Sequence, residues 1–193
     1  METLTALLSA VRGCQLCAEY LPLGPRPIVI ANASARLLII GQAPGMRVHE
    51  SGIPWNDPSG DRLRQWLAID RDQFYSDTRL AIMPMGFCYP GKGRSGDLPP
   101  RKECAPQWHA RLLAQMPAVD LVLLIGQYAQ NYYLQDNFKN LTDRVQNYPP
   151  NSKFFPLPHP SPRNQMWLRR NPWFECDVLP RLRERIAPLL ETI

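Results

Sequence analysis

Four short apolar runs, each ending in a loop of glycine, proline or polar residues, limit the folds open to this chain. The runs occupy residues 36–41, 80–83, 120–126 and 154–157. Apolar runs of this length between turn residues are typical of fully buried strands. Because helical patterns separate them, we predict an α/β fold, a three-layer α/β/α sandwich with a central, mainly parallel four-stranded sheet. No internal repeat divides residues 1–193, so we expect a single domain.

Helices are predicted where apolar residues recur three or four positions apart. The segments are residues 2–11, 61–67, 106–116, 127–134 and 173–190. Pro180 should kink the last of them. A short edge strand is predicted at residues 27–30, and residues 136–152 are expected to be irregular, with at most a helical turn near Leu141.

Two loops are candidates for one site. Gly41-Gln42-Ala43-Pro44-Gly45 follows the first apolar run, and His159-Pro160-Ser161-Pro162-Arg163-Asn164 follows the last. Ligands of open α/β sheets bind beyond the carboxyl ends of the strands. We therefore predict that these loops face each other across one pocket.

Composition favours a protein of aqueous compartments with an anionic partner. The 193 residues are 45% hydrophobic, and no apolar run approaches the length of a membrane span. The first residues lack the basic start of a signal peptide, so a cytoplasmic monomer without membrane contact is the expectation. A net charge of +5 favours a polyanion, although such an excess also occurs in proteins that bind none.

The cysteines form a second constellation. Cys14 and Cys17 are separated by two residues, and Cys88 and Cys104 follow in and just after the long loop 86–102. A Cys-x-x-Cys pair completed by two later cysteines can bind zinc or an iron-sulfur cluster. Four unrelated thiols are the alternative. Cys176 is expected in the core.

The two loops together resemble the signature motifs of the uracil-DNA glycosylase superfamily. The closest likeness is to its iron-sulfur family 4, whose first motif reads Gly-Glu-Ala-Pro-Gly, while the second motif is nearer to that of the single-strand-selective members. Gly52-Ile53-Pro54-Trp55 and the order of the four cysteines are similar too. The resemblance covers about residues 14–185. It implies the sandwich fold, a DNA partner, and a 4Fe-4S cluster bound by Cys14, Cys17, Cys88 and Cys104, with zinc or no metal as alternatives.

The resemblance also implies roles in cleaving a base from deoxyribose. His159 would donate to a carbonyl oxygen of the base, where negative charge develops; the alternative is a loop-stabilising histidine. Trp55 would stack on the extruded base, unless it is simply core. Arg163 would enter the duplex as a wedge or contact a phosphate. The further residues implied are Gly41, Ala43 and Asn56 for the base, and Ser161, Asn164, Lys92 and Arg101 for DNA.

Two departures from the family pattern bear on activity. The first-motif glutamate is replaced by Gln42, which can orient a water molecule but cannot take its proton. Asp57 is the nearest carboxylate in sequence, and it can either position water or cap a helix. Pro84 stands where the family has its base-recognition asparagine, so Asn56 or backbone must read the base.

These features predict a DNA glycosylase acting on uracil or a related deaminated base. A protein that binds damaged or flipped bases without cleaving them is the alternative, because of Gln42. A metal-dependent enzyme of small nucleotides is weaker, since no phosphate-loop glycine pattern follows the first strand.

Overall fold

The computed structural model describes residues 2–190, and its centre is a four-stranded parallel sheet. The strands lie in the order β2-β1-β3-β4, so the chain starts in the middle of the sheet and builds outward to both edges. The strands are β1 (Leu37–Ile40), β2 (Leu80–Ile82), β3 (Leu121–Ile125) and β4 (Phe154–Leu157). The predicted α/β sandwich is confirmed, and the sheet is wholly parallel.

Helices cover both faces of this sheet. The helices are α1 (Leu4–Arg12), α2 (Met46–Ser51), α3 (Pro58–Leu67), α4 (Arg71–Ser76), α5 (Cys104–Ala114), α6 (Gly126–Tyr133), α7 (Leu141–Asn147), α8 (Gln165–Arg170) and α9 (Leu179–Leu190). No helix among residues 2–190 is long and apolar enough to cross a membrane.

The alternation of side chains along β1 divides the core into two layers. Leu37 and Ile39 pack in a cluster with residues of α3 and α9, whereas Leu38 and Ile40 pack with residues of α1 and α5. All four side chains are fully buried, and each contributes about 2 kcal/mol of hydrophobic free energy. A strand covered on both faces reads as a continuous apolar run, which is why the sequence pattern identified it.

Three short helices fall where no helix was predicted. The first, α2, lies inside the loop 43–58, and α4 and α8 are equally brief at six residues each. Six residues make fewer than two turns, which is too short for a periodic apolar pattern to stand out. The predicted edge strand at 27–30 is reduced to a single antiparallel bridge between Ile30 and Ile82.

The closing helix is irregular just before Pro180. A π-helical segment spans Phe174–Val178, and α9 continues directly from Leu179. The chain therefore stays helical through Pro180 and is not broken there. The hydrogen bonding changes from π to α next to this proline, which has no N–H for the helical ladder. The prediction for Cys176 is wrong: it is exposed. Phe174 and Val178 occupy the buried side, and a residue midway between them points the other way.

Candidate active site

The two predicted loops border one cavity at the carboxyl edge of the sheet. This space, called the base cavity below, has a volume of about 530 Å³. Gly41–Gly45 extends from β1, Pro84 lies just after β2, and His159 lies just after β4, and all of them line it. The prediction that the two loops face each other across one pocket is therefore confirmed.

His159 is held in one orientation by its own loop. The Ser161 backbone N–H donates to its Nδ1 at 3.2 Å, and the Asn164 side-chain amide donates to its carbonyl oxygen at 2.7 Å. Because Nδ1 accepts a hydrogen bond, the neutral ring carries its proton on Nε2. Burial lowers the pKa of His159, while the nearby Asp57 charge acts in the opposite direction. The ring is thus a neutral N–H donor near pH 7.

Trp55 forms a wall of the cavity in a strained conformation. Its φ is 57°, in the left-handed region that residues other than glycine rarely adopt. The indole lies so close to Gly41 that a Cβ there would sit 2.7 Å from Cζ2. The indole and imidazole ring centres of Trp55 and His159 are 5.8 Å apart. Strain of this kind persists where the surrounding structure fixes it, most often at functional sites.

Two carboxylates line the base cavity. Asp57 accepts the Gly60 N–H at 2.8 Å and so caps α3. A helix cap was one of the two roles predicted for this residue. Asp97, which the sequence did not single out, lines the cavity from the loop after β2. Its only sequence signal was its place in a long glycine-rich loop without periodicity.

Asn56 does not belong to the base cavity, contrary to the predicted contact with the base. Its side-chain oxygen accepts from Arg71 at 2.8 Å, and it is absent from the cavity lining. The residue follows Trp55, whose left-handed backbone turns the chain away. Gln42, Ala43 and Pro84 do line the cavity.

The loop after His159 is fixed from the side by an unpredicted arginine. Arg62 of α3 donates to the Ser161 carbonyl and to the Gln165 side chain, both at 3.0 Å. Ser161 also accepts the Arg163 N–H at 3.2 Å, which caps a short turn over Pro162–Asn164. Ser161, Arg163 and Asn164 line the cavity. The Arg163 guanidinium is not free, since it donates to the Ser95 carbonyl at 2.9 Å across the opening.

Comparison with known families matches residues 29–183 to the Uracil DNA glycosylase superfamily. The chain belongs to this superfamily. Its members are generally DNA glycosylases, and the matched residues include both loops of the base cavity together with Cys88 and Cys104. The match begins after Cys14 and Cys17.

The other two basic residues predicted to contact DNA lie outside the base cavity of this superfamily member. Lys92 is exposed on the loop that carries Asp97. Arg101 pairs with Glu103 at 2.6 Å, and its guanidinium lies 4.1 Å from the centre of the Tyr20 ring. These contacts occupy Arg101 beside the cysteines.

The four predicted metal ligands converge on a second, smaller cavity. Cys14, Cys17, Cys88 and Cys104 all line it, and its free volume is about 20 Å³, so it is called the cysteine cavity below. The rest of the lining is mostly apolar, including Phe87 and Trp108. A lining with four sulfur donors and no described carboxylate or histidine suits zinc or an iron-sulfur cluster.

Zinc and an iron-sulfur cluster require different arrangements of the four sulfurs. Four sulfurs bound to one zinc ion lie about 2.3 Å from it, and therefore close to one another. Among residues 2–190, no three cysteine, histidine or acidic side chains are arranged to hold a single metal ion. A cluster with several iron atoms, each binding one cysteine, needs a wider set of sulfurs. The four thiols around the cysteine cavity match such a cluster in donor type. The free volume of this cavity, about 20 Å³, must increase for the cluster to bind.

Burial favours the protonated form of three of these thiols. It raises the pKa of Cys88 to about 11 and that of Cys104 to about 12, and it raises the pKa of Cys17 as well. The Cys17 thiol lies 3.8 Å from the Glu103 carboxylate, and the Phe87 N–H donates to the Cys104 sulfur at 3.3 Å. A bound metal must displace these protons.

Proposed function

We propose that this protein is a DNA glycosylase that hydrolyses the N-glycosidic bond of uracil or a related deaminated base. The observation that carries the proposal is the neutral His159 ring, which has its Nδ1 engaged by Ser161 and lines a cavity bordered by Gly41–Gly45. A base reaches such a cavity only after it has left the DNA stack.

Bond cleavage develops negative charge on the departing base and positive charge on the sugar. A fixed, neutral N–H donor next to the base stabilises the negative charge without reorganisation, which is the role we assign to His159. Gln42 can orient the attacking water molecule. Asp57, close enough to His159 to affect its pKa, offsets the positive charge on the sugar.

Trp55 supplies the face on which the base stacks. Its ring is fixed against Gly41, where no larger residue fits without moving the indole. The main-chain groups of Gly41 and Ala43 border the same space. Because Pro84 offers no side-chain hydrogen bond, we assign recognition of the base edge to His159, Gln42 and these backbone groups.

DNA contacts are assigned to the rim of the base cavity. Ser161 and Asn164 present polar groups for a phosphate. Lys92 is exposed on the loop whose residues 95–97 line the cavity, and we assign it a second phosphate contact. Arg163 can act as a wedge only after its guanidinium releases the Ser95 carbonyl. Insertion into the duplex therefore requires this hydrogen bond to break.

The cofactor proposal is a 4Fe-4S cluster bound by Cys14, Cys17, Cys88 and Cys104, with zinc as the alternative. The cluster would cross-link the end of α1, the loop after β2 and the start of α5. Its contribution is structural.

A cleavage assay tests the function. The protein is incubated with single- and double-stranded oligonucleotides that contain uracil, hypoxanthine or a mismatch, and alkali-sensitive abasic sites are counted. We expect abasic product from a deaminated base, and a rate about 10² to 10³ lower for His159→Ala, the usual loss for one donor to a developing anion. Tyr128→Phe, an exposed change on α6, is the control.

The same assay distinguishes the second candidate function. Gln42 lacks the acidity of the family residue, which favours a protein that binds flipped bases without cleaving them. Tight binding with no abasic product from any oligonucleotide would support that function and reject the glycosylase.

A further inference from the structure

Gln42 leaves the proposed glycosylase without a base in its first motif, and Asp97 is placed to supply one. An amide cannot take the proton of the attacking water. Among residues 2–190, the carboxylates that line the base cavity are Asp57 and Asp97. The inference that follows rests on the proposed function and concerns which of the two acts.

Asp57 already has a structural task. Its Oδ1 accepts the Gly60 N–H at 2.8 Å at the start of α3, and Pro58 follows it directly. This hydrogen bond engages one of its two oxygens and fixes the carboxylate at the start of the helix.

Asp97 has no such partner. No hydrogen bond or ion pair engages its carboxylate among the described residues, yet it faces the first motif. A Cβ placed on Gly45 would lie 3.3 Å from Asp97 Oδ2. The carboxylate therefore reaches the loop that carries Gln42, from a different part of the chain.

A tight hairpin fixes this position. Lys92 and Asp97 pair across it, and the Gly93 N–H donates to the Gly96 carbonyl at 2.6 Å. Gly96 has a φ of 150°, which side chains strongly disfavour. The Arg163 guanidinium ties the hairpin to the loop after His159 through the Ser95 carbonyl. Both loops thus hold Asp97 at the opening of the base cavity.

The electrostatic surroundings suit a base. Asp97 is an exposed residue at the rim of the cavity, and partial desolvation there raises its pKa. The Arg163 charge opposes this rise, the Asp57 charge adds to it, and Lys92 opposes it. Tyr89 also lies close enough to be affected by this carboxylate. A raised pKa brings a carboxylate closer to the range in which general bases work best.

We propose that Asp97 is the catalytic base of the reaction. It accepts the proton of the attacking water as the water oxygen bonds to C1′ of the sugar. The C1′–N bond breaks, and its electron pair leaves with the base as an anion stabilised by His159 Nε2–H. The anion then takes a proton from solvent, Asp97 returns its proton to solvent, and the sugar keeps the hydroxyl group.

Single-turnover kinetics on the oligonucleotide that the wild-type protein cleaves test this assignment. For Asp97→Asn we expect a rate about 100-fold lower, the usual scale for a general base, with unchanged affinity for the oligonucleotide. Asp72→Asn, an exposed acid on α4, is the matched control and should not change the rate. Asp97→Glu should recover part of the loss, since it restores the carboxylate.

The pH profile separates a catalytic role from a structural one. The wild-type rate should fall as pH falls through the raised pKa of Asp97, and this acidic limb should be absent from Asp97→Asn. If Asp57→Asn instead removes the limb, or if Asp97→Asn cleaves as fast as wild type, the assignment is overturned while the glycosylase proposal stands. Failure of the wild-type protein to cleave any oligonucleotide rejects the proposed function and this inference with it.

Discussion

The base cavity and the cysteine cavity are built from the same loop but have opposite character. Pro84 borders the first, while Gly86, Phe87 and Cys88 border the second. The base cavity has about 530 Å³ of free volume and several charged or hydrogen-bonding side chains, whereas the cysteine cavity has about 20 Å³ and a mostly apolar lining around its thiols. The volume of the base cavity suits a ligand from solution, whereas the cysteine cavity is almost filled by its own lining.

The difference also appears in what burial does to ionisable groups. At His159 burial favours the neutral ring, which is the form that can donate to an anion without carrying charge. At Cys88 and Cys104 burial favours the thiol, which cannot bind metal until it loses its proton. The same physical effect therefore favours the donor form of His159, whereas the proposed cluster would bind only as the thiols lose their protons.

The largest effect should come from Cys104→Ser. We expect complete loss of bound iron and a fall of about 3 kcal/mol or more in the free energy of unfolding, because metal binding and folding are coupled. Iron analysis, absorbance spectra and urea unfolding measure both quantities. Cys176→Ser is the matched control, since Cys176 is exposed and outside the cavity.

Two results would break the contrast between the cavities. If wild-type protein purified under anaerobic conditions contains neither iron nor zinc, the cofactor proposal is rejected. Equal iron loss from Cys104→Ser and Cys176→Ser would show that the cysteine cavity is not the binding site.

His109→Gln tests whether the two cavities are mechanically joined. His109 is buried, its Nε2 lies 3.1 Å from the Pro84 carbonyl, and its ring stacks on Phe87, so it contacts a wall of each cavity. Burial lowers its pKa to about 4. Below pH 6.5 the unfolded chain binds a proton at His109 that the folded chain does not bind. The contribution of His109 to the free energy of unfolding is therefore fully present above pH 6.5 and falls as the pH drops towards 4.

In the wild type, protonation of His109 in the unfolded chain should lower the free energy of unfolding by about 2 kcal/mol between pH 6.5 and pH 5. His109→Gln should remove that part of the slope, as measured by urea unfolding at several pH values. At pH 7, His109→Gln should lower both the cleavage rate and the iron content, since His109 contacts a wall of each cavity. A fall in only one of them would mean that the cavities are structurally independent.

A smaller and more local effect is expected from Gly41→Ala. The new methyl group would meet the Trp55 indole at 2.7 Å and displace it from the base cavity. We expect the cleavage rate to fall about tenfold, which corresponds to a rise of about 1.4 kcal/mol in the activation free energy. The iron content should not change. Gly13→Ala, where the nearest atom is 3.6 Å away, is the control. Loss of iron from Gly41→Ala would contradict the separation of the two sites.

Sequence reasoning succeeded where a single segment carries the signal. Residues 37–40 and 121–125 are buried on both faces, so their apolar runs identified strands of a parallel sheet. The turn residues after β1 and β4 then placed Gly41 and His159 at the same edge, since parallel strands all point one way. The Cys-x-x-Cys pair indicated that Cys14 and Cys17 lie together, while their meeting with Cys88 and Cys104 was one of two alternatives that the sequence left open.

What sequence reasoning missed depended on contacts between distant segments. Arg62 reaches Ser161 across 99 positions, and Arg163 reaches Ser95 across 68, with nothing in either local pattern to announce the pairing. Asn56 looked suited to read a base, but the left-handed turn at Trp55 directs it to Arg71 instead.

The amino-acid sequence by itself determined the parallel sandwich and the two loops at its carboxyl edge, because burial and strand direction are encoded in local patterns. Only the tertiary structure decided that the four cysteines meet, and which of two carboxylates has no hydrogen bond or ion pair among residues 2–190. Asp57 and Asp97 look equivalent as residues, but one is engaged by a helix N–H while the other is carried by a hairpin to Gly45. That distinction comes from hydrogen bonds and distances that exist only once the chain has folded.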